Sequence, residues 1–297
     1  MKVLVVGVSG FVGRRWCAAL AETGHDIAAM TRNPAARAGA GTPVHADVHD
    51  PGTLDAAMGG CRAAYYLVHS LSDADFERRD AAARAFGQAC TRAGLQRIIG
   101  LGGLGDDQDA LSAHLRSRRA AEKLLGAAGV RVTVIRAGII VGHGGISWEL
   151  TRRLVEHLPA VIMPRWVTTR IQPIAVDNVV RYLAGVLALP QAAGRALEAG
   201  GPDMLQYVTM LRRAAAIQGR PLPILSVPLL TTRLSSLWLT LVTDVDAAAG
   251  RALIDSMTSE VIVRDHPFRD LIPFDLMPVD DAVRKALGER GRANRVG

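Results

Sequence analysis

Residues Lys2–Gly13 read KVLVVGVSGFVG, and this stretch decides the fold. A short apolar run, Val3–Val6, leads directly into the evenly spaced glycines Gly7, Gly10 and Gly13. An apolar strand that runs into three spaced glycines and then into a helix is typical of a dinucleotide-binding β–α–β unit. Gly7 permits the tight turn, Gly10 lets the backbone approach a pyrophosphate, and Gly13 lets the helix pack closely on the strand. The stretch therefore predicts a Rossmann-type fold.

The residues between the glycines complete the predicted pyrophosphate site. Those expected to contact the cofactor are Ser9, Phe11 and Val12. Helix-like sequence follows over Arg14–Thr23. A helix N-terminus offers free backbone N–H groups and a partial positive charge, and both favour a bound phosphate. We therefore expect the start of this helix to bind the pyrophosphate of a dinucleotide.

The end of the second predicted strand, His25–Met30, indicates which dinucleotide is bound. The strand continues into Thr31, Arg32 and Asn33, with no acidic residue among them. Proteins selective for NAD(H) usually place an acidic residue here, where it binds the ribose hydroxyls. A guanidinium instead suits a 2′-phosphate, through a bidentate and charge-assisted contact. Thr31 and Arg32 therefore favour NADP(H) over NAD(H), the alternative being a solvated arginine in an arginine-rich chain.

The basic balance of the chain does not indicate a nucleic-acid partner. The net charge is +7 over 297 residues, yet the arginines are scattered and only 4% of the residues are aromatic. A nucleic-acid footprint would combine a basic stripe with interleaved aromatic residues. We therefore expect a small-molecule substrate and no nucleic acid.

Composition also bears on compartment. No stretch reaches about 18 uninterrupted apolar residues, so no transmembrane segment is expected. Because the first predicted strand begins at Lys2, we expect no signal peptide. Cys17, Cys61 and Cys90 are odd in number and widely spaced, which favours buried, reduced thiols. These features predict a cytoplasmic protein.

Strands and helices alternate along the first half of the chain, which predicts a doubly wound parallel α/β sheet. We expect residues 1–145 to form the NAD(P)-binding Rossmann core. Residues 146–288 are expected to form a smaller C-terminal substrate lobe interleaved with the core, and residues 289–297 a flexible tail. No metal is expected, because His45 and His49 lie four apart at a strand end rather than on a helix, with no third ligand in sight.

Landmarks along nearly the whole chain together resemble the extended or atypical short-chain dehydrogenase/reductase superfamily. Within it the chain is similar to the NmrA-like and complex-I-subunit-like branch, in particular the bacterial YYLVHS-type NAD(P)-binding proteins. The landmarks are GVSGFVG (7–13), TRNP (31–34), ADV (46–48), YYLVHS (65–70), RAGIIVG (136–142), PIAVDNVVRYL (173–183) and EAGGP (198–202).

The resemblance adds cofactor contacts beyond the glycine turn. It implies that Asp47 and Val48 border the adenine site after the third strand. It also implies that the end of the fourth strand, Leu67, Val68 and His69, runs past the cofactor towards the ribose and nicotinamide. Gly102, at the end of the fifth strand, is the last expected cofactor contact.

The chain departs from this superfamily at the catalytic residues. Members that catalyse use a Tyr-x-x-x-Lys pair in the helix after strand five and a Ser or Thr at that strand's end. Here His114 stands at the tyrosine position, Arg118 at the lysine position, and the strand ends in Gly102 and Gly103. Arg118 can bind ribose hydroxyls but does not deprotonate. His114 is a candidate general acid or only packs the helix start, and His69 is a second candidate acid or a structural hydrogen-bonding residue.

The leading hypothesis is an NADP(H)-dependent reductase of a small organic substrate, such as a carbonyl, an enone or a quinone-like compound. The missing Tyr and Lys motivate a competing hypothesis, a non-catalytic redox sensor, regulator or assembly factor that binds NADP(H). A non-redox isomerase or cyclase on the same fold is the third. A homo-oligomer is compatible with all three.

Overall fold

The computed structural model describes residues 1–68, 76–105, 112–157, 161–163, 168–226, 260–264 and 267–296. A seven-stranded parallel sheet lies at the centre. Its strands are β1 (Lys2–Val6), β2 (Asp26–Thr31), β3 (Thr42–His45), β4 (Ala63–Tyr66), β5 (Arg97–Gly103), β6 (Arg131–Ala137) and β11 (Ala196–Ala199). They are arranged in the order β11-β6-β5-β4-β1-β2-β3.

Short strands outside this sheet form three pairs. β7 (Ile140–Val141) pairs with β10 (Ile174–Ala175), β8 (Val161–Met163) with β13 (Ile224–Ser226), and β9 (Arg170–Ile171) with β12 (Leu205–Gln206).

Helices connect the strands and cover the sheet. They are α1 (Phe11–Ala21), α2 (Leu54–Ala57), α3 (Phe76–Arg92), α4 (Ala113–Gly126), α5 (Ile146–His157), α6 (Val176–Ala188), α7 (Tyr207–Ile217), α8 (Pro267–Leu271) and α9 (Val279–Val296). Single 3₁₀ turns lie at Pro34–Ala36, Pro51–Thr53 and Pro190–Ala192.

The strands at the centre of the sheet are buried on both faces, which explains why β1 and β2 read as continuous apolar runs. Along β1, Val3 and Val5 belong to the apolar cluster on one face, and Leu4 and Val6 to the cluster on the other. This alternation follows the period of two residues in a strand. The predicted doubly wound Rossmann-type α/β fold is therefore confirmed.

The strand order has a switch point at β1, which lies between β2 and β4. From β1 the chain builds outwards to β2 and β3 on one side, and then returns to β4, β5 and β6 on the other. In open α/β sheets, ligands bind outside the carboxyl ends of the strands at this point. The topology therefore places the candidate site at the carboxyl ends of β1 and β4.

A further apolar cluster joins α5, α7 and α9. Trp148, Tyr207, Leu211 and Val283 lie in it, and all four are almost fully buried. α9 continues to Val296, through most of the segment 289–297 for which a flexible tail is expected, and the flexibility of this segment stays a prediction. The division of the chain into a core and a lobe stays a prediction.

The three cysteines are buried and form no disulfide. No helix in the described ranges is both long and apolar enough to cross a membrane. Over the same residues, no group of three or more His, Cys, Asp and Glu side chains is arranged to hold a metal ion.

Candidate dinucleotide site

The turn between β1 and α1 has a shape that requires glycine. Gly7 has a φ of +85°, and a Cβ at this position would lie 2.6 Å from the carbonyl oxygen of Leu67. A Cβ on Gly13 would lie 2.1 Å from the carbonyl oxygen of Gly7. The backbone N–H of Gly10 donates to that same oxygen at 3.0 Å and closes the turn. The start of α1 is thus held directly against the edge of the sheet.

The N-terminus of α1 suits an anion. Gly10 is its N-cap residue, with no side-chain cap and no acidic residue in the first turn. The first intrahelical hydrogen bond runs from Arg14 N–H to Gly10 O at 3.1 Å, so the N–H groups of Phe11, Val12 and Gly13 precede it. Unpartnered N–H groups and the helix dipole together favour a phosphate.

Arg32 lies at the end of β2 with its side chain exposed. It makes no hydrogen bond or ion pair with any residue that the structure describes. The side chains of its neighbours form hydrogen bonds within the same loop: Thr31 Oγ1 accepts from Asn33 N–H at 3.3 Å, and Asn33 Oδ1 accepts from Ala36 N–H at 3.3 Å. An exposed guanidinium without a protein partner can therefore take an anion at this edge.

The loop after β3 lies beside the end of β2. The N–H of Ala46 donates to Thr31 O at 3.2 Å, which places Asp47 close to that strand end. The Asp47 carboxylate accepts from His49 N–H at 2.9 Å, and Val48 is buried in the core. The structure thus places Asp47 near the carboxyl end of β2 and packs Val48 in the core, and their contact with an adenine stays a prediction.

The end of β4 adjoins the glycine turn, as expected at a switch point. Leu67 N–H donates to Val6 O at 3.0 Å, and Leu67 is buried while Val68 is half-buried. His69, a candidate cofactor contact and acid, lies outside the described residues.

The end of β5 is filled by side chains of α4. A Cβ on Gly102 would lie 2.4 Å from Glu122 Oε1, and one on Gly103 would lie 2.5 Å from Leu115 Cδ2. The Cδ atom of Arg118 would be 3.4 Å from the same Gly103 position. Side chains of α4 therefore occupy the space that a hydroxyl-bearing side chain would need at this strand end.

Arg118 lies against the strand end, at the predicted lysine position. Burial lowers the pKa of Arg118 to about 10, while the Glu122 carboxylate acts in the opposite direction. The guanidinium is still protonated near neutral pH. His114 lies in the first turn of α4, where Ser112 Oγ caps the helix by accepting from Leu115 N–H at 3.3 Å; the His114 side chain lies outside the described part.

A buried ionic network, which sequence reasoning missed, lies next to Arg118. Arg119 donates to the carbonyl oxygens of Gly103 at 2.9 Å and Gly105 at 2.8 Å. It also pairs with Glu122 at 3.1 Å, and the other oxygen of Glu122 pairs with Arg136 at 2.8 Å. Arg119 and Glu122 have the i, i+3 spacing of helical partners. That spacing was visible in the sequence, but the place of Arg136 beside Gly102 depends on the pairing of β5 with β6.

The loop before α5 packs against the glycine turn. Cβ atoms on Gly142 and Gly145 would lie 3.0 and 2.7 Å from the ring of Phe11. Arg15 covers the same ring at 4.8 Å and donates to His143 O at 2.9 Å. Phe11 is therefore sandwiched between a guanidinium and a loop with room for its ring, a contact between residues far apart in sequence.

The C-terminal helix is fastened to this junction. Glu289 pairs with Arg15 at 2.6 Å, and Arg290 pairs with Glu156 of α5. These two ion pairs hold the polar C-terminal part of α9 against α1 and α5, and so stabilise its helical conformation.

Comparison with solved structures shows the fold to be widespread. Triphenylmethane reductase of Citrobacter sp. is 15% identical with a TM-score of 0.78, covering 97% of this chain and 100% of that one. An NADPH-dependent quinone oxidoreductase from Escherichia coli, solved with NADPH, is 18% identical with a TM-score of 0.77, covering 96% and 99%. UDP-glucose 4-epimerase of Thermotoga maritima is 12% identical with a TM-score of 0.73, covering 99% of each chain. At these identities the likeness concerns the fold.

Curated proteins include no match to this sequence. A family model described as NAD(P)H-binding matches residues 7–159, more than half of the chain. The match begins at Gly7, the first glycine of the turn, and includes the ends of β2 through β6. The chain therefore belongs to the NAD(P)H-binding family, and it shares its fold with the two reductases and the epimerase above.

Proposed function

We propose that the protein is an NADP(H)-dependent reductase of a small organic substrate, such as a carbonyl, an enone or a quinone-like compound. The observation that carries the cofactor preference is Arg32, an exposed cation without a described partner, at the strand end that lies beside the adenosine ribose in this fold. No acidic residue stands beside it in the segment Thr31–Pro34, where an NAD(H) site would need one.

When bound, NADPH supplies a hydride to the substrate. The chain's own residues bind and orient the dinucleotide: the N-terminus of α1 binds the pyrophosphate and Arg32 binds the 2′-phosphate. Reduction also needs one proton for the substrate oxygen, and His114 or His69 supplies it in this proposal. The two similar reductases described above, which act on triphenylmethane dyes and on quinones, support a substrate of this class.

A calorimetric titration tests the cofactor. NADPH and NADH are titrated into the wild type, Arg32→Ala and Arg62→Ala. Arg62 is an exposed arginine next to the opposite, amino-terminal end of β4, so its removal changes the net charge equally. Loss of a charge-assisted contact predicts about a tenfold or larger rise in the Kd for NADPH in Arg32→Ala alone.

Equal affinity of the wild type for NADPH and NADH, or an unchanged Kd in Arg32→Ala, would contradict the NADP(H) preference. Turnover is then followed by the loss of reduced-nicotinamide absorbance with aldehydes, enones, quinones and cationic dyes. Full turnover in a His69→Asn, His114→Asn double variant would remove both histidines as proton donors.

One observation favours a second candidate, a non-catalytic NADP(H) sensor. Glu122 and Leu115 fill the space that a hydroxyl-bearing residue would need at Gly102 and Gly103. A sensor binds NADPH at the same site but reduces none of the substrates in the panel. Tight binding together with no turnover would therefore favour this candidate over the reductase.

A further inference from the structure

The two halves of the sheet serve different parts of a dinucleotide. In a doubly wound fold each β–α–β–α–β half binds one mononucleotide, on either side of the switch point. The β1–β3 half carries the glycine turn and Arg32, so the adenosine half of NADP(H) belongs there. The nicotinamide half then belongs at the carboxyl ends of β4 and β5, where Gly102–Gly105 lie.

We propose that Arg119 is a positioning residue for the nicotinamide half of the cofactor, because it holds the backbone of Gly103–Gly105 in place. The inference rests on the proposed dinucleotide binding and deepens it. Arg119 itself is 7% exposed and acts through the main chain rather than by touching the cofactor.

The contacts of Arg119 are directed at the loop backbone. One guanidinium nitrogen donates to Gly103 O at 2.9 Å, and the other donates to Gly105 O at 2.8 Å. Two carbonyls separated by one residue are thus held by one rigid, planar group. Glycine backbone is otherwise the most permissive in conformation, so such a clamp has its largest effect here.

The clamp is itself held in place by charge. Glu122 Oε1 lies 3.1 Å from Arg119, and Glu122 Oε2 lies 2.8 Å from Arg136, which stands beside Gly102 in the pairing of β5 with β6. All three side chains are largely buried, so removal of one partner leaves the others with uncompensated charge. The network therefore links the geometry of the strand end to α4 and β6.

The superfamily that the chain resembles places a Ser or Thr side chain at this strand end. Here a Cβ on Gly102 would meet Glu122 Oε1 at 2.4 Å. The ionic network thus occupies the place of that side chain. The surface that faces the nicotinamide half of the cofactor is then the backbone of Gly103–Gly105, which Arg119 holds in place.

Two ligands distinguish binding of the nicotinamide half of the cofactor from binding of the adenosine half. NADPH contains both halves, whereas 2′,5′-ADP contains the adenosine and its 2′-phosphate but no nicotinamide. Both are titrated into the wild type, Arg119→Met, Arg119→Lys and Lys123→Met. Lys123 is exposed on the same helix and supplies the matched control for a lost positive charge on α4.

In Arg119→Met we expect the Kd for NADPH to rise about tenfold while the Kd for 2′,5′-ADP changes less than about twofold. Arg119→Lys recovers part of the affinity, because an ammonium keeps the pairing with Glu122 but lacks the planar fork. Hydrogen exchange at residues 101–105 rises in Arg119→Met and not in Lys123→Met.

Equal weakening of both ligands would overturn the inference, since it would indicate a general structural role, and so would an unchanged Kd for NADPH. If Arg119→Met does not fold, Glu122→Gln, which keeps the side-chain volume, is tested for the same selective loss. Failure of the wild type to bind NADPH at all would instead overturn the proposed function, and this inference with it.

Discussion

At the end of β1, the missing Cβ atoms of Gly7 and Gly13 let two backbone segments touch each other. At the end of β5, those of Gly102 and Gly103 leave room for side chains of α4. The first region ends in an open helix N-terminus without an acidic residue, whereas the second is occupied by the protein's own charged groups. Glycines in similar places thus serve opposite purposes: the first group shapes a site for a ligand, and the second admits part of the chain itself.

The difference has an energetic consequence. A contact between two backbone segments cannot adjust without moving a strand or a helix, because the interior is close-packed. A contact between backbone and a side chain is relieved in part by a rotamer change. Substitutions at the first region should therefore cost more stability and more binding than those at the second.

The largest effect is expected for Gly13→Ala. Its Cβ would lie 2.1 Å from Gly7 O, so the substitution should remove NADPH binding and lower the free energy of unfolding by about 3 kcal/mol. Gly288→Ala in α9 is the control: it has no atom within 4 Å of the new Cβ and should raise helix stability by about 0.5–1 kcal/mol. Calorimetric binding and urea unfolding measure both. A Gly13→Ala protein that binds NADPH normally would contradict the claim that the end of β1 tolerates substitution less than the end of β5.

A smaller effect is expected for Gly102→Ser, which adds the hydroxyl expected at this strand end from the superfamily that the chain resembles. The new Cβ would press on Glu122 Oε1, so we expect about 2 kcal/mol of destabilisation and no gain in turnover. Gly100→Ala on the same strand is the control, since its nearest neighbour would be 4.0 Å away. Increased turnover in Gly102→Ser would show that the network does not exclude the hydroxyl.

The smallest effect concerns the loop that supports the first region. Glu149 accepts from Gly144 N–H at 2.9 Å and pairs with Arg152 and His143. Burial by itself raises the pKa of Glu149, but the hydrogen bonds and positive charges of these partners outweigh burial and hold the pKa below its ordinary value. The stabilisation is thus present above the unfolded-state pKa and is lost as the pH falls through the lower folded-state value.

We expect Glu149→Gln to lower the free energy of unfolding by about 1 kcal/mol at neutral pH. The difference from the wild type should shrink as the solution is acidified below pH 4.5. Urea unfolding across a series of pH values measures it. A difference that stays constant down to strongly acidic pH would mean that the Glu149 charge does not support the loop.

The central elements were predictable because their signals are local. The predicted apolar run Val3–Val6 lies within β1, and the predicted second strand, His25–Met30, matches β2 to within one residue at each end. These segments combine apolar periodicity with clear Pro or Gly boundaries. By contrast, residues 170–175 contain two short strands, β9 and β10, which pair with different partners. Strand pairing involves residues distant in the chain, so periodicity alone does not reveal it.

The candidate site divides in the same way. Gly7, Gly10, Gly13 and Arg32 could be identified from spacing and charge, because the motif is contiguous and each residue acts through its own backbone or charge. Arg119 could not, because its role depends on the carbonyls of Gly103 and Gly105 turning towards it. Nothing in a run of scattered arginines distinguishes the one that folds inwards.

The doubly wound fold, the glycine turn and the cation at the end of β2 all follow from the amino-acid sequence. They depend on the order of residues along one strand, turn and helix, where local steric constraints dominate. Three contacts become visible only in the folded chain: Glu122 fills the end of β5, Phe11 lies between Arg15 and the loop of Gly142, and Glu289 ties α9 to Arg15. Each of these contacts joins separate elements of the fold. The chain has many charged residues with similar local propensities, and the packing of the elements decides which of them become buried partners.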